Sequence, residues 1–260
     1  MPEWTSRYVV CVAHTTMNVL PEGFDWDVWI PEEPITDADR LSEFAGRQCY
    51  GVGSWRNPAQ RTNAEYITNI VQQEHFSVLE HGVVTFALGG ISRALTHELI
   101  RHRHLSYSQL SQRFVDESHA RLVLPPLYQE IPEAQQLLED IGQYLEAQYV
   151  RLTQMGTEHL RRRYPQLPKT LARKRSREAA RAVLPNMTET QIVVTGNHRA
   201  WREVLLKRGN AHADAEIRAL MLDIFPHLSR MAPHIYGDMA ILNDPLDGQW
   251  SVLQKGATDG

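Results

Sequence analysis

The chain has 260 residues, 42% of them hydrophobic and 22% charged, and a formal net charge of −4 at pH 7. That is enough apolar material for one large core, and the negative balance argues against a general nucleic-acid or membrane-surface binder. Two cysteines without a CxxC pair exclude a zinc ribbon or a dithiol redox motif. No apolar run nears the roughly 20 residues of a membrane span. The Met1–Trp4 start lacks a signal-peptide pattern, so a cytoplasmic protein with reduced thiols is expected.

Arg7 to Ala13 (RYVVCVA) is rich in β-branched residues and predicts a first strand. Residues 18–36 carry Pro21, Pro31 and Pro34 and predict a loop. Ala38 to Ala45 predicts a short helix capped by Asp37 and broken by Gly51 and Gly53. Asn57-Pro58 predicts the start of a second helix, running to about Glu74 with Ile67, Ile70 and Val71 on one face. Val83 to Leu88 predicts a buried strand ended by Gly89-Gly90, and Ser92 a cap for a helix to about Arg103. Arg121 to Leu124 is a weak strand.

Long helices are predicted over Pro132–Arg163 and Lys169–Val183, each closed by proline. Gln191 to Thr195 predicts a strand, and 198–208 and 211–230 predict helices. The tail from Asn243 to Gly260 is polar and predicts partial mobility. Many helices and few strands predict an α+β fold, a small, largely antiparallel sheet packed with several long helices, in a single domain spanning 1–260.

The densest chemistry lies in Arg101-His102-Arg103-His104-Leu105-Ser106-Tyr107-Ser108-Gln109-Leu110-Ser111-Gln112-Arg113. Its three arginines offer forked donors for phosphate or a planar ring edge. The alternative is an exposed polar helix end, but the few neighbouring acids, Glu98 and Asp116, leave salt-bridge decoration a poor explanation. A metal reading fails on spacing. His97 and His102 stand five apart, about 140° around a helix, whereas a zinc HExxH pair shares one face. Gly51-Val52-Gly53 starts like a dinucleotide fingerprint, yet Arg56 takes the third glycine's place.

His75 to His81 forms a second polar cluster, readable as a binding loop or as a helix-to-strand turn. A third gathers Arg181, Asn197-His198-Arg199, Arg208, His212 and Glu216. Arg199 and Arg208 lie about 180° apart on one helix, which hints at pockets between subunits. The basic run from Arg161 to Arg181 holds one aromatic residue, Tyr164, and lacks a stacking platform for single-stranded nucleic acid. A non-catalytic nucleotide or RNA binder and a metal-dependent hydrolase are the competing classes.

Arg101-His102-Arg103, seven residues, then Ser111 resembles the signature of the flavin-dependent thymidylate synthases. His75 to His81, Arg181 to Pro185, Asn197-His198-Arg199, and Arg208 with His212 and Glu216 resemble that family's other motifs in the same order, so that residues 40 to 220 are covered.

The resemblance implies FAD held by Ser77, Arg101, His102, Arg103, Gln109, Asn197, His198, Arg199 and Glu203. It implies dUMP bound by Glu98, Leu99, Ile100, Arg101, Gln109, Leu110, Ser111, Gln112, Arg113, Arg181 and Arg208, with Arg208 catalytic and no metal. It also implies methylenetetrahydrofolate and NADPH as co-substrates and a homotetramer with active sites at subunit interfaces. Position 109 is Gln where many members have Glu, position 98 is Glu where some have Gln, and position 203 is Glu where relatives place Asn or His.

Overall fold

A computed structural model describes residues 3–18, 35–49, 61–244 and 246–256. Among these, helices α1 (Asp37–Cys49), α2 (Asn63–Gln72), α3 (Arg93–Leu99), α4 (Pro132–Arg163), α5 (Lys169–Ala180), α6 (His198–Arg208) and α7 (Ala215–Met231) accompany six strands. Strands β1 (Tyr8–His14), β2 (Val83–Ser92), β3 (Ser106–Gln109) and β4 (Glu189–Asn197) form one sheet in the order β1-β2-β4-β3. Strands β5 (Met239–Asn243) and β6 (Trp250–Gln254) form an antiparallel pair, Met239 opposite Gln254 and Asn243 opposite Trp250. The expected α+β class with a small antiparallel sheet is what the chain adopts.

The chain divides into two compact units, each built from discontinuous segments. The first comprises Met1–Tyr8, Leu88–Arg101 and Tyr107–Val193. Its core includes Leu95, Leu99, Leu122, Ala172, Ile192 and the fully buried Tyr149. Gly156 lets α4 approach α5 closely, since a Cβ there would stand 3.0 Å from the Ser176 hydroxyl. The second comprises Val9–Ala87, His102–Ser106 and Val194–Gly260. Phe86 meets Trp201 edge-on at 5.2 Å in its core.

Several boundaries differ from expectation for identifiable reasons. Gly89-Gly90 does not end β2. The strand continues to Ser92, and its glycines make room for the N-terminal segment. A Cβ at Gly89 would sit 2.3 Å from the Tyr8 ring, and one at Gly90 2.0 Å from the Ser6 carbonyl oxygen. Gly90 also adopts φ 63°, and its amide donates to Glu189 Oε1 at 3.1 Å. Ser92 caps α3 as expected, accepting from the Leu95 amide at 3.0 Å. That helix stops at Leu99, short of Arg103, because the Tyr107 hydroxyl takes the Leu99 carbonyl at 2.6 Å while the chain turns into β3.

Helix α2 begins after Thr62, which forms a capping box with Glu65. Asn57-Pro58, Gly51, Gly53 and the proline-rich stretch 19–34 lie outside the described residues. Arg121 to Leu124 contributes only isolated bridges at Leu122. Helix α7 starts at Ala215, not at 211, because Asp214 caps it by accepting from Glu216. Part of the polar tail forms secondary structure. It supplies β6, whose Val252 amide donates to the Gly209 carbonyl at 2.7 Å.

Candidate active site

Some of the expected site residues gather in two clusters, one in each unit. In the first unit, β3 and the turn after it present Gln109 to Arg113. The Gln109 amide nitrogen donates to Thr96 Oγ1 at 3.0 Å and Thr190 Oγ1 at 3.4 Å. Both its protons are thereby committed to protein hydroxyls, and what it offers a ligand is its oxygen. Leu110 is pinned twice: its amide donates to the Gln191 carbonyl, and its carbonyl accepts from Arg93 Nη2 at 2.7 Å. Ser111 closes a turn, its hydroxyl accepting from the Arg113 amide at 3.3 Å. Arg113 Nε stands 3.3 Å from Glu178 Oε2 across a half-exposed gap, with alignment too poor for a hydrogen bond. Such a pair holds the guanidinium weakly.

Arg93 is the member of this cluster that the sequence reading missed. Burial pulls its pKa down, the Glu117 carboxylate opposes that, and the positive charge of Arg181 lowers it further. Arg93 Nε is buried without a hydrogen-bond partner. Glu117 is itself only 5% exposed, and burial raises its pKa first, against the pull of Arg93. Two like charges, Arg93 and Arg181, thus stand within electrostatic reach of each other beside the Gln109–Arg113 segment. Such an arrangement suits an anion. A signal was available: Arg93 occupies the first turn of α3, where the helix dipole disfavours a cation.

Of the other expected nucleotide contacts, Glu98 is half-buried, and Ile100 and Arg101 are exposed. Leu99 is fully buried, so it supports the site from the core.

In the second unit, Glu80, His104, Asn197, Arg199, Ala200 and Glu203 line a cavity of about 190 Å³. Asn197 caps α6, its oxygen accepting from the Ala200 amide at 2.8 Å. One turn apart on that helix, Arg199 and Glu203 face the same space. Arg199 donates to Glu80 Oε1 at 2.6 Å and Lys207 to Glu203 Oε1 at 2.6 Å. The Glu203 pKa is lowered, chiefly by Lys207, with His102 and His104 contributing. Ser77 is exposed in the turn Phe76–Glu80, and Arg103 is exposed as well.

His198 differs from its neighbours. It is 1% exposed, its Nδ1 stands 3.0 Å from the Tyr236 hydroxyl, and a Cβ on Gly82 would strike its ring at 2.6 Å. Its side chain is therefore a core group anchoring the start of α6. Arg208 ends the same helix, and its Nε donates to His102 Nε2 at 3.1 Å. Glu80 and His104 were not selected from sequence, although both lie inside motifs singled out there.

Neither thiol lies in these clusters. Cys11 Sγ is 3.7 Å from Met231 Sδ and its pKa is raised by burial, while Cys49 is exposed at the end of α1. No group of three or more metal-ligating side chains occurs among the described residues. None of the described helices is long and apolar enough to cross a membrane.

The family model of the thymidylate synthase complementing protein matches residues 33–234. A flavin-dependent thymidylate synthase of Mycobacterium avium is 50% identical over 216 residues, 81% of this chain and 85% of the relative. Relatives of the same name from Mycobacteroides abscessus and Mycolicibacterium gilvum are 47% and 49% identical, each over 93% of both chains.

Proposed function

The chain belongs to the thymidylate synthase complementing protein family, the flavin-dependent thymidylate synthases, and is a methyltransferase; from that premise we propose that it converts dUMP to dTMP with methylenetetrahydrofolate, NADPH and FAD. The observation that carries the substrate assignment is the pair of like-charged guanidiniums, Arg93 and Arg181, beside the Gln109–Arg113 segment. A nucleotide phosphate offers the dianion this arrangement calls for, and Arg113 and Ser111 add donors. Glu98, Ile100, Arg101, Leu110 and Gln112 complete the proposed nucleotide contacts, with Leu99 behind them.

Uracil becomes a carbon nucleophile at C5 only if negative charge can develop on the ring. A cysteine adding at C6 would achieve this, but neither thiol is among the clustered polar residues. Arg208 takes that part instead: a guanidinium, protonated throughout, stabilises charge growing on N3 and its adjacent carbonyl. When bound, the folate supplies the one-carbon unit and the reduced flavin the hydride.

The donor set around the second-unit cavity fits part of a flavin nucleotide. Arg199 and the amino end of α6 favour its phosphates, His104 and Asn197 offer polar partners from the lining, and Ser77 and Arg103 are proposed to add to them from outside it. Arg199 would exchange Glu80 for the ligand, and His198 would act by holding the helix. A cavity of about 190 Å³ is smaller than the roughly 300–1,000 Å³ of complete ligand sites. One chain thus encloses only a portion of FAD, and we assign the remainder to further copies in a cytoplasmic homotetramer.

A surface for assembly is at hand on α4. Leu137, Ile141, Tyr144, Leu152 and Met155 are 59%, 40%, 64%, 40% and 55% exposed. Their spacing places them within about 80° of one another around the helix. An apolar stripe of this kind, interrupted by Gln148, suits a protein contact.

The test is dTMP formation by Arg208→Ala and Cys49→Ala. The first should abolish turnover in a folded protein, and the second should leave it intact. Turnover surviving loss of Arg208, or lost with Cys49, would overturn the assignment.

A further inference from the structure

Arginine can only donate hydrogen bonds, so the 3.1 Å contact from Arg208 Nε to His102 Nε2 requires that nitrogen to be unprotonated. His102 is accordingly a neutral imidazole carrying its proton on Nδ1. Both ends of the contact are held within the second unit. The turn bearing His102 is closed by the Leu105 amide donating to the His102 carbonyl at 3.1 Å. The Leu105 side chain fills the space over Gly196, where a Cβ would lie 2.1 Å from its methyl. The next residue, Asn197, caps the helix that ends in Arg208.

We propose that His102 is a positioning residue for Arg208: its neutral Nε2 helps to fix the direction of the guanidinium toward the pyrimidine, and protonation of the ring breaks that contact. The inference rests on the reading of Arg208 given above. The charged groups acting on His102 include Arg208, Glu203 and Lys207 of α6, and half-burial of the imidazole lowers its pKa before any of them. The neutral form therefore prevails above the ordinary histidine value of 6.5 and gives way as pH falls below it.

The test compares wild type, His102→Leu and His102→Gln in the full chain, with Arg208→Ala alongside. Glutamine retains an acceptor oxygen and does not titrate. The readouts are the ¹⁵N shifts of the His102 ring, flavin content after loading with FAD, and kcat and KM for dUMP between about pH 5.5 and 8. Expected are a Nδ1-protonated His102 at neutral pH and a wild-type kcat whose acid limb follows the ring's titration. His102→Leu should lower kcat about ten- to hundredfold at unchanged flavin content. His102→Gln should recover most of that loss and show no such acid limb.

Nε2 protonated at neutral pH, full kcat in His102→Leu, or an acid limb persisting in His102→Gln would overturn the proposal. Loss of activity only in proportion to lost flavin would do the same and make His102 a cofactor contact. Should the leucine variant fail to fold, the glutamine pH profile and the ring shifts still decide. Arg208→Ala turning over at the wild-type rate would sink the underlying reading. An inactive Arg208→Ala beside a normal His102→Leu would sink this inference alone.

Discussion

Acidification should weaken the fold, with a large contribution from His198. Burial is the main reason its pKa falls from 6.5 to about 4, with the charge of His14 adding to the effect. A histidine with a depressed folded-state pKa contributes no pH dependence above 6.5. Below that value the unfolded chain binds a proton that the native ring refuses, so stability declines as pH falls and the loss is complete near 4. A gap of about 2.5 pH units at 1.36 kcal/mol each corresponds to roughly 3 kcal/mol, a large share of a typical stability.

The assay is urea denaturation of the wild type and His198→Asn from about pH 7.5 down to 4. The wild type should lose roughly 3 kcal/mol more than the variant across that range. The variant will be less stable at neutral pH, but the difference in slope is the readout. Parallel pH profiles would refute the claim that a neutral His198, wedged between Gly82 and Tyr236, anchors the start of α6. Arg199, Glu203 and Arg208 lie on that helix, so flavin retention should fall over the same pH range.

Two further variants test other parts of the account. Gly90→Ala forces a side chain into a positive-φ position with the Ser6 carbonyl oxygen 2.0 Å away, and should cost about 2–5 kcal/mol by denaturant midpoint. A loss under about 0.5 kcal/mol would mean that the N-terminal segment does not cross β2 as described. Tyr144→Asp places a charge in the middle of the α4 stripe and should lower the assembly mass measured by sedimentation, whereas an unchanged mass would remove that helix from the interface.

Much of this architecture was legible because it depends on local chemistry. Pro132 and Pro165 bracket α4 and Ser92 caps α3, and in each case neighbouring residues decide the outcome. The errors arose where distant residues intervene. Gly89-Gly90 reads as a stop until Tyr8 and Ser6 lie across it. Arg103 reads as helical until Tyr107 removes the Leu99 carbonyl from the helix. The polar tail reads as loose until β6 pairs with β5.

The candidate site divides in the same way. Motif residues such as Gln109, Ser111, Arg199 and Arg208 were identifiable by resemblance. Arg93 gains its significance only from the nearby charges of Arg181 and Glu117, and the burial of His198 is evident only once Tyr236 packs against it. Pattern alone carries neither fact.

The central claim, that flavin reduction and nucleotide binding meet in one enzyme, is tested most directly by the visible spectrum of the FAD-loaded protein mixed anaerobically with NADPH. The account predicts a flavin band that bleaches faster when dUMP is present and returns on addition of methylenetetrahydrofolate, with dTMP formed. A protein that takes up no FAD, or whose bleached flavin does not reoxidise with the folate and dUMP, would contradict it.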